Sequence, residues 1–113
     1  MYDLFVKPVN GGKYKVASDF SIDVLEENIC VPRGFVFDGA SIPSFAWQII
    51  ASPYDPAVMA PAAVHDYLYD CHKTTRKKAD EILRLLLVDG GEVSATKAYI
   101  IYWAVRMAGG FFW

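Results

Sequence analysis

Short apolar runs separated by turn signals occupy the first forty positions of the chain. Positions 4–6, 14–16, 20–22, 29–31 and 35–37 combine β-branched and aromatic residues in the way that is typical of strands. Asn10-Gly11-Gly12 lies between the first two runs and predicts a hairpin, and Pro32-Arg33-Gly34 predicts a second turn. The pattern therefore predicts a small antiparallel sheet built from residues before Asp38.

Helical periodicity replaces this alternation after Asp38-Gly39. We expect a short helix from Ser44 to Ala51 capped by Ser41 or Ser44, then helices over about 61–71, from Thr74 or Thr75 to about 88, and from Ser94 to about 107. The loop after position 71 is short, so its two flanking helices are predicted to pack antiparallel. The expected fold class is α+β, with the sheet followed by a helical half.

Length and composition limit what such a fold can be. The 113 residues suffice for one core, so residues 1–113 are interpreted as a single domain. A hydrophobic fraction of 54% excludes disorder. The formal charge of −2 gives no reason to expect nucleic acid as a partner, and the basic cluster 73–78 is interpreted as a solvated helix start. No apolar run is long enough to predict a membrane span.

Two cysteines, Cys30 and Cys71, are too few to define a disulfide framework. In the absence of a recognisable secretory signal, we expect both to be reduced, half-buried thiols in a cytosolic setting.

The segment Ala62-Ala-Val-His-Asp-Tyr-Leu-Tyr69 concentrates polar groups in an apolar helix. His65 and Tyr69 are four residues apart and share one helix face, while Asp66 is angled toward the entrance beside it. In the next helix, Asp80 falls within the apolar stripe of Leu83 and Leu87. A carboxylate there needs a partner, and His65 and Tyr69 are the candidates. This arrangement fits a histidine general base, in which case the second ring nitrogen of His65 is expected to face a cavity. It also fits a buried network that only fixes helix packing, in which case core groups are expected to cover both nitrogens.

A second polar stretch, Asp38-Gly39, lies in apolar surroundings. It belongs to the segment Gly34-Phe-Val-Phe-Asp-Gly-Ala-Ser-Ile-Pro43. Such a turn can direct backbone carbonyls at a cation or N–H groups at an oxyanion. A plain strand-to-helix turn with Ser41 as a helix cap is the structural alternative.

His65-Asp66-Tyr67-Leu68-Tyr69 resembles the His-Asp-x-x-Tyr signature of the phospholipase A2 superfamily, and with Ala79-Asp80 it is similar to parvovirus capsid phospholipase domains. The resemblance implies that His65 is the general base, that Asp80 orients it with support from Tyr69, and that Asp66 binds calcium. The family's glycine-rich calcium loop and its disulfides are missing here. Asp38 and Gly39 are our candidates for the missing calcium ligands.

Over its whole length the chain also resembles a family of small uncharacterised proteins of tailed phages and prophages. The resemblance rests on residues 34–43, 62–69 and the aromatic 105–113. It implies a phage or prophage source, with the protein in the host cytoplasm or associated with the virion, and it implies no mechanism.

Two hypotheses follow. One is a phospholipase A2-like hydrolase that acts on a lipid or envelope ester with His65, Asp80 and, for calcium, Asp66. The other is a non-enzymatic phage component that binds phage structural proteins, host proteins or further copies of itself. A His-Asp phosphohydrolase would need more histidines than His65 and His72, and a thiol hydrolase based on Cys71 lacks a suitably placed base.

Overall fold

The computed structural model describes residues 2–50 and 55–113, and it has the predicted α+β architecture. Five strands, all before Asp38, precede the helices: β1 Val6–Val9, β2 Lys13–Val16, β3 Phe20–Val24, β4 Glu27–Val31 and β5 Val36–Phe37. The helical half contains α1 Ser44–Trp47, α2 Pro56–Cys71, α3 Arg76–Asp89 and α4 Ala95–Ala108, followed by a 3-10 turn over Gly109–Phe111.

The strands form two antiparallel sheets instead of the one that the sequence suggested. The first has the order β1-β2-β5, and the second is the hairpin of β3 and β4. Asn10-Gly11-Gly12 makes the predicted hairpin between β1 and β2, with both glycines at positive φ. The turn at Pro32-Arg33-Gly34 is also present, closed by a 3.1 Å bond from the Phe35 N–H to the Pro32 carbonyl.

Side-chain caps begin three of the helices. Thr75 accepts from the Lys78 N–H and Ser94 from the Lys97 N–H, at two predicted positions. Helix α2 starts earlier than predicted, because Asp55 caps it and Pro56 occupies the first turn, where a missing N–H costs nothing. Helix α1 begins after Pro43 with no side-chain cap, so the prediction that Ser41 or Ser44 caps it was wrong. Its predicted end, Ala51, lies outside the described residues.

Helices α2 and α3 pack antiparallel, as predicted from the short loop between them. The start of α2 meets the end of α3, where a Cβ added to Gly90 would lie 2.9 Å from that of Ala57. Farther along the pair, His65 contacts Asp80. One apolar cluster fills the space between the sheets, α2 and α3, and a second fills the space between the four helices. His65, Tyr69 and Asp80 are buried among these apolar residues.

Cys30 and Cys71 are unpaired, and both are exposed instead of half-buried as expected. Among the described residues, no helix combines the length and the apolar character needed to cross a bilayer.

Candidate active site

His65 lies in the middle of α2 and is completely buried. Its Nε2 atom is 2.7 Å from Oδ1 of Asp80, which projects from α3. This is the contact that the helix pattern predicted. Because Asp80 is also fully buried, water does not screen the interaction, and the carboxylate fixes the orientation of the imidazole ring.

Asp80 has polar partners from all three long helices. The Tyr69 hydroxyl of α2 donates a 2.5 Å hydrogen bond to Oδ1, and the Arg106 guanidinium of α4 donates a 3.0 Å bond to Oδ2. Arg76 of α3 lies 3.7 Å from Oδ2. Burial by itself would raise the pKa of Asp80, but the bonds from His65, Tyr69 and Arg106 lower it below its ordinary value. Asp80 is therefore held as a carboxylate.

Tyr69 remains a hydrogen-bond donor over the whole physiological pH range. Burial and the neighbouring Asp80 carboxylate both raise the pKa of its hydroxyl. Its ring lies 4.3 Å from the imidazole of His65, centre to centre. The structure thus brings together the three residues that the sequence singled out as catalytic: His65, Asp80 and Tyr69.

The second nitrogen of His65 faces a residue that the sequence interpretation did not assign to the site. Its Nδ1 atom lies 2.9 Å from Oγ of Ser41, in the loop between β5 and α1. The expectation that this nitrogen faces an open cavity was wrong, because the Ser41 hydroxyl covers it. His65 therefore cannot contact a bulk water directly, and Ser41 is the group that it can activate.

Asp66 completes a line of four polar side chains. Its Oδ1 is hydrogen-bonded to the Ser41 hydroxyl, and its Oδ2 accepts a 2.8 Å bond from the Gly39 N–H. Ser41 has one proton, so it can donate to Asp66 or to His65 but not to both. Burial raises the pKa of Asp66 despite these two bonds. In the structure the Ser41 hydroxyl donates to Oδ1 of Asp66. If Asp66 is protonated, it donates to Ser41 instead, and the Ser41 proton is then free to be directed at His65.

A cleft of about 570 Å³ opens over Ser41 and Asp66. Phe35 and Phe37 form one wall, and the C-terminal Phe112 and Trp113 form another. Trp113 is held by His72, whose ring stacks on it at 3.9 Å and whose Nε2 lies 3.0 Å from its carbonyl oxygen. His72 is exposed, and it lies at the rim of this cleft. Ser41 lines the cleft with only 5% of its surface exposed.

The residues predicted to bind calcium, Asp38, Gly39 and Asp66, are hydrogen-bonded within the protein. Both Asp66 oxygens take part in hydrogen bonds, and burial raises the pKa of its carboxyl group. The Gly39 carbonyl accepts bonds from the Trp47 indole and the Ile42 N–H, and Asp38 accepts from the Ala40 N–H. Calcium requires six to eight oxygen ligands. Among residues 2–50 and 55–113, no group of three or more acidic, histidine or cysteine side chains is placed to hold a metal ion.

Sequence reasoning missed Ser41, Arg76 and Arg106. Arg106 carried a usable signal, since a lone cation in an apolar helix requires a partner as much as Asp80 does. Ser41 was interpreted as a helix cap, although it stands in the same polar segment as Asp38 and Gly39. Arg76 was assigned to a solvated helix start, but its guanidinium donates to the carbonyls of Val105 and Arg106 at the end of α4.

Comparisons with known proteins identify relatives of this chain. Residues 14–105 match the family model described as "Protein of unknown function (DUF1353)". The chain is 33% identical over 99 residues to the uncharacterized protein y4jT of Sinorhizobium fredii, a match that covers 85% of this chain and 29% of that protein. The chain thus spans less than a third of that relative's length. No solved structure matches. Because the family model covers most of the chain, we conclude that the chain belongs to the DUF1353 family.

Proposed function

We propose that this protein is an ester hydrolase in which Ser41 is the nucleophile, His65 the general base and Asp80 the group that orients the base. The observation that carries the proposal is the line from Ser41 Oγ through both nitrogens of His65 to Asp80, with steps of 2.9 and 2.7 Å. A serine, a histidine and a buried carboxylate in this order are the parts of a serine hydrolase triad. The proposal keeps the predicted His-Asp pair and replaces a free water by Ser41.

In the proposed reaction, Ser41 Oγ attacks the ester carbonyl carbon while its proton passes to Nδ1 of His65. Asp80 accepts from Nε2 and stabilises the resulting imidazolium. The carbon–oxygen bond to the alcohol then breaks, and the alcohol leaves with the proton that His65 returns. A water molecule releases the acyl group from Ser41 by the same steps in reverse.

The oxyanion formed in the first step needs hydrogen-bond donors. The N–H groups of Gly39, Ala40 and Ile42 already have acceptors. The N–H of Ser41 has no acceptor among the residues that the structure describes, so we propose it as a donor to the oxyanion.

The test combines hydrolysis of p-nitrophenyl esters with labelling by a fluorophosphonate, which reacts with activated serines. We expect the wild type to hydrolyse the esters and to carry the label on Ser41. Ser41→Ala should abolish the label and lower kcat by about ten-thousandfold or more. Ser44→Ala is the matched control, because Ser44 is exposed and makes no capping hydrogen bond. Folded wild type that neither hydrolyses the esters nor takes up the label would refute the proposal.

Phospholipid vesicles, assayed with calcium and with a chelator, test the phospholipase A2-like form of the proposal. No step above uses calcium, so we expect equal rates in both conditions. A rate that depends on calcium would instead favour a rearranged loop around Asp38 and Gly39. A phage or prophage setting and an envelope ester as substrate remain part of this proposal.

A second candidate function is a non-enzymatic protein that docks on partners, with the His65 network serving only stability. It is favoured by a row of exposed apolar side chains along α4 and the turn after it: Tyr99, Ile100, Trp103, Met107 and Phe111. In this case Ser41→Ala and His65→Ala change only the melting temperature. Sedimentation should then show self-association of the wild type that Met107→Glu abolishes.

A further inference from the structure

A second cavity, of about 400 Å³, lies next to the proposed nucleophile. Its walls are mainly apolar, and the apolar side chains come from both halves of the fold: Tyr14, Phe37, Trp47, Met59 and Ala62. The single charged residue of its lining is Asp38, an exposed residue of the turn before Ser41. We call this cavity the side pocket. A binding site with such walls favours an apolar ligand.

The side pocket and the cleft over Ser41 are adjacent and have two lining residues in common. Phe37 and Asp38 line both of them. Gly39, which also lines the side pocket, donates its N–H to Asp66, and Asp66 in turn is hydrogen-bonded to Ser41. The two cavities are therefore neighbours on either side of Phe37 and Asp38, and a chain that runs past Asp38 would link an ester group at Ser41 to the side pocket.

Trp47 shows that the chemistry of the side pocket is apolar. Its indole N–H donates to the Gly39 carbonyl at 3.3 Å, so the one polar atom of the ring already has a partner. A Cβ on residue 39 would lie 2.7 Å from the indole ring, and φ is +73° there, so glycine permits this contact. The ring is thereby fixed with no hydrogen-bond donor left for a ligand.

We propose that the side pocket binds the acyl chain of the ester substrate, so that the protein prefers aliphatic esters of medium length over acetyl esters. This inference rests on the proposed function, because it assigns the acyl side of the ester cleaved at Ser41. The proposed acyl-chain site is separate from the reacting groups. Trp47 and Met59 would contact the acyl chain, and neither is hydrogen-bonded to Ser41, His65 or Asp80.

The first experiment measures kcat/KM for p-nitrophenyl acetate, butyrate, hexanoate and octanoate. Each buried methylene can raise kcat/KM by up to about fourfold, so a clear rise with chain length is expected. Met59→Gln keeps the side-chain volume but adds an amide, and it should lower the ratio of octanoate to acetate turnover. Met107→Gln, a change at an exposed position of α4, is the matched control and should leave that ratio unchanged.

The second experiment needs no hydrolysis. Free octanoate, titrated below its aggregation concentration, should change the tryptophan fluorescence of the wild type, while acetate should not. The response should disappear in Trp47→Phe, which retains Trp103 and Trp113 but removes the reporter in the side pocket. Met59→Gln should weaken octanoate binding, and Met107→Gln should not.

The outcomes separate this inference from the proposed function. Hydrolysis with no dependence on chain length overturns the side pocket and leaves the hydrolase standing. Octanoate binding that Met59→Gln weakens, in a protein that hydrolyses none of the esters, supports the side pocket and refutes the hydrolase. Octanoate binding that responds to Met107→Gln but not to Met59→Gln places the chain on the exposed face of α4 and overturns the inference.

Discussion

The carboxylate of Asp80 links the three long helices through hydrogen bonds. It accepts hydrogen bonds from Tyr69 of α2 and Arg106 of α4, and it faces His65 from its own position on α3. Removing such a buried carboxylate would leave two guanidinium groups without a counter-charge and His65 without its hydrogen-bond partner.

Asp80→Ala is therefore expected to lower the free energy of unfolding by about 3–5 kcal/mol. Urea denaturation at neutral pH, followed by circular dichroism, measures this directly. Asp70→Ala is the control, because Asp70 also lines the cleft but is exposed. Its free energy of unfolding should stay within about 0.5 kcal/mol of the wild-type value. Equal stability of the two variants would show that the network does not hold the helices together.

Asp66 should make the free energy of unfolding decrease as the pH rises, whereas an ion-paired carboxylate makes it increase. Its pKa is raised by burial, so the folded state binds its proton more tightly than the unfolded state does. The stability that this proton provides is complete below the ordinary carboxyl pKa and is lost as pH rises through the raised folded value.

Asp66→Asn removes this titration while keeping the geometry, since its amide can donate to Ser41 and its oxygen can accept from the Gly39 N–H. Denaturation profiles over the weakly acidic to neutral range should fall with pH in the wild type and be flatter in the variant. Parallel profiles would mean that Asp66 is not protonated in the folded state at any pH in that range.

At the scale of secondary-structure elements, the packing of α2 against α3 depends on a close approach at Gly90. A Cβ there would lie 2.9 Å from both the Cβ and the carbonyl oxygen of Ala57, and the latter is backbone that cannot easily move. The backbone φ of Gly90 is −68°, which any residue adopts, so the restriction is one of space alone.

Gly90→Ala should therefore cost about 1–3 kcal/mol through overcrowding of the helix pair. Gly110→Ala is a matched control on the same residue type, because an added Cβ there meets no atom within 4 Å. The comparison is made by thermal unfolding of the two variants beside the wild type. If Gly90→Ala and Gly110→Ala lowered the stability equally, the cause would be the lost flexibility of glycine and not the packing of the helices.

At the scale of the whole molecule, the two apolar clusters share the helices α2 and α3. One cluster includes Val64 and Ile82, and the other includes Ala62 and Leu83, so the same two helices contribute to both. If either cluster came apart, α2 and α3 would each expose an apolar face to water. The stability of the sheets is therefore coupled to that of the helical half.

We therefore expect one cooperative unfolding transition, which also tests the single-domain prediction. Far-ultraviolet circular dichroism reports mainly the helices. The tryptophan fluorescence includes that of Trp47, whose ring lines the side pocket together with Tyr14 of β2 and Phe37 of β5, so it also reports contact with the strands. The midpoints of the two signals in urea should coincide. Separate midpoints would show that the strands and the helices unfold as independent units.

The sequence by itself determined the features that depend on neighbours along the chain. The hairpin at Asn10-Gly11-Gly12 and the caps at Thr75 and Ser94 follow from local backbone preferences and from hydrogen bonds over two or three residues. Helical periodicity aligned His65 with Tyr69 and placed Asp80 in a buried stripe, because positions four apart share a face. The His65–Asp80 contact could be predicted because only a short loop separates their helices.

Only the tertiary structure decided which group faces the other side of His65. Ser41 is 24 positions away and lies in a loop whose path is set by the packing of β5 and α1 against α2. The pairing of Arg106 with Asp80 spans 26 positions and depends on how α4 crosses α3. Local pattern shows that a buried charge needs a partner, but the partner is chosen by packing between distant segments. Ser41, and with it the proposed nucleophile, therefore came from the fold.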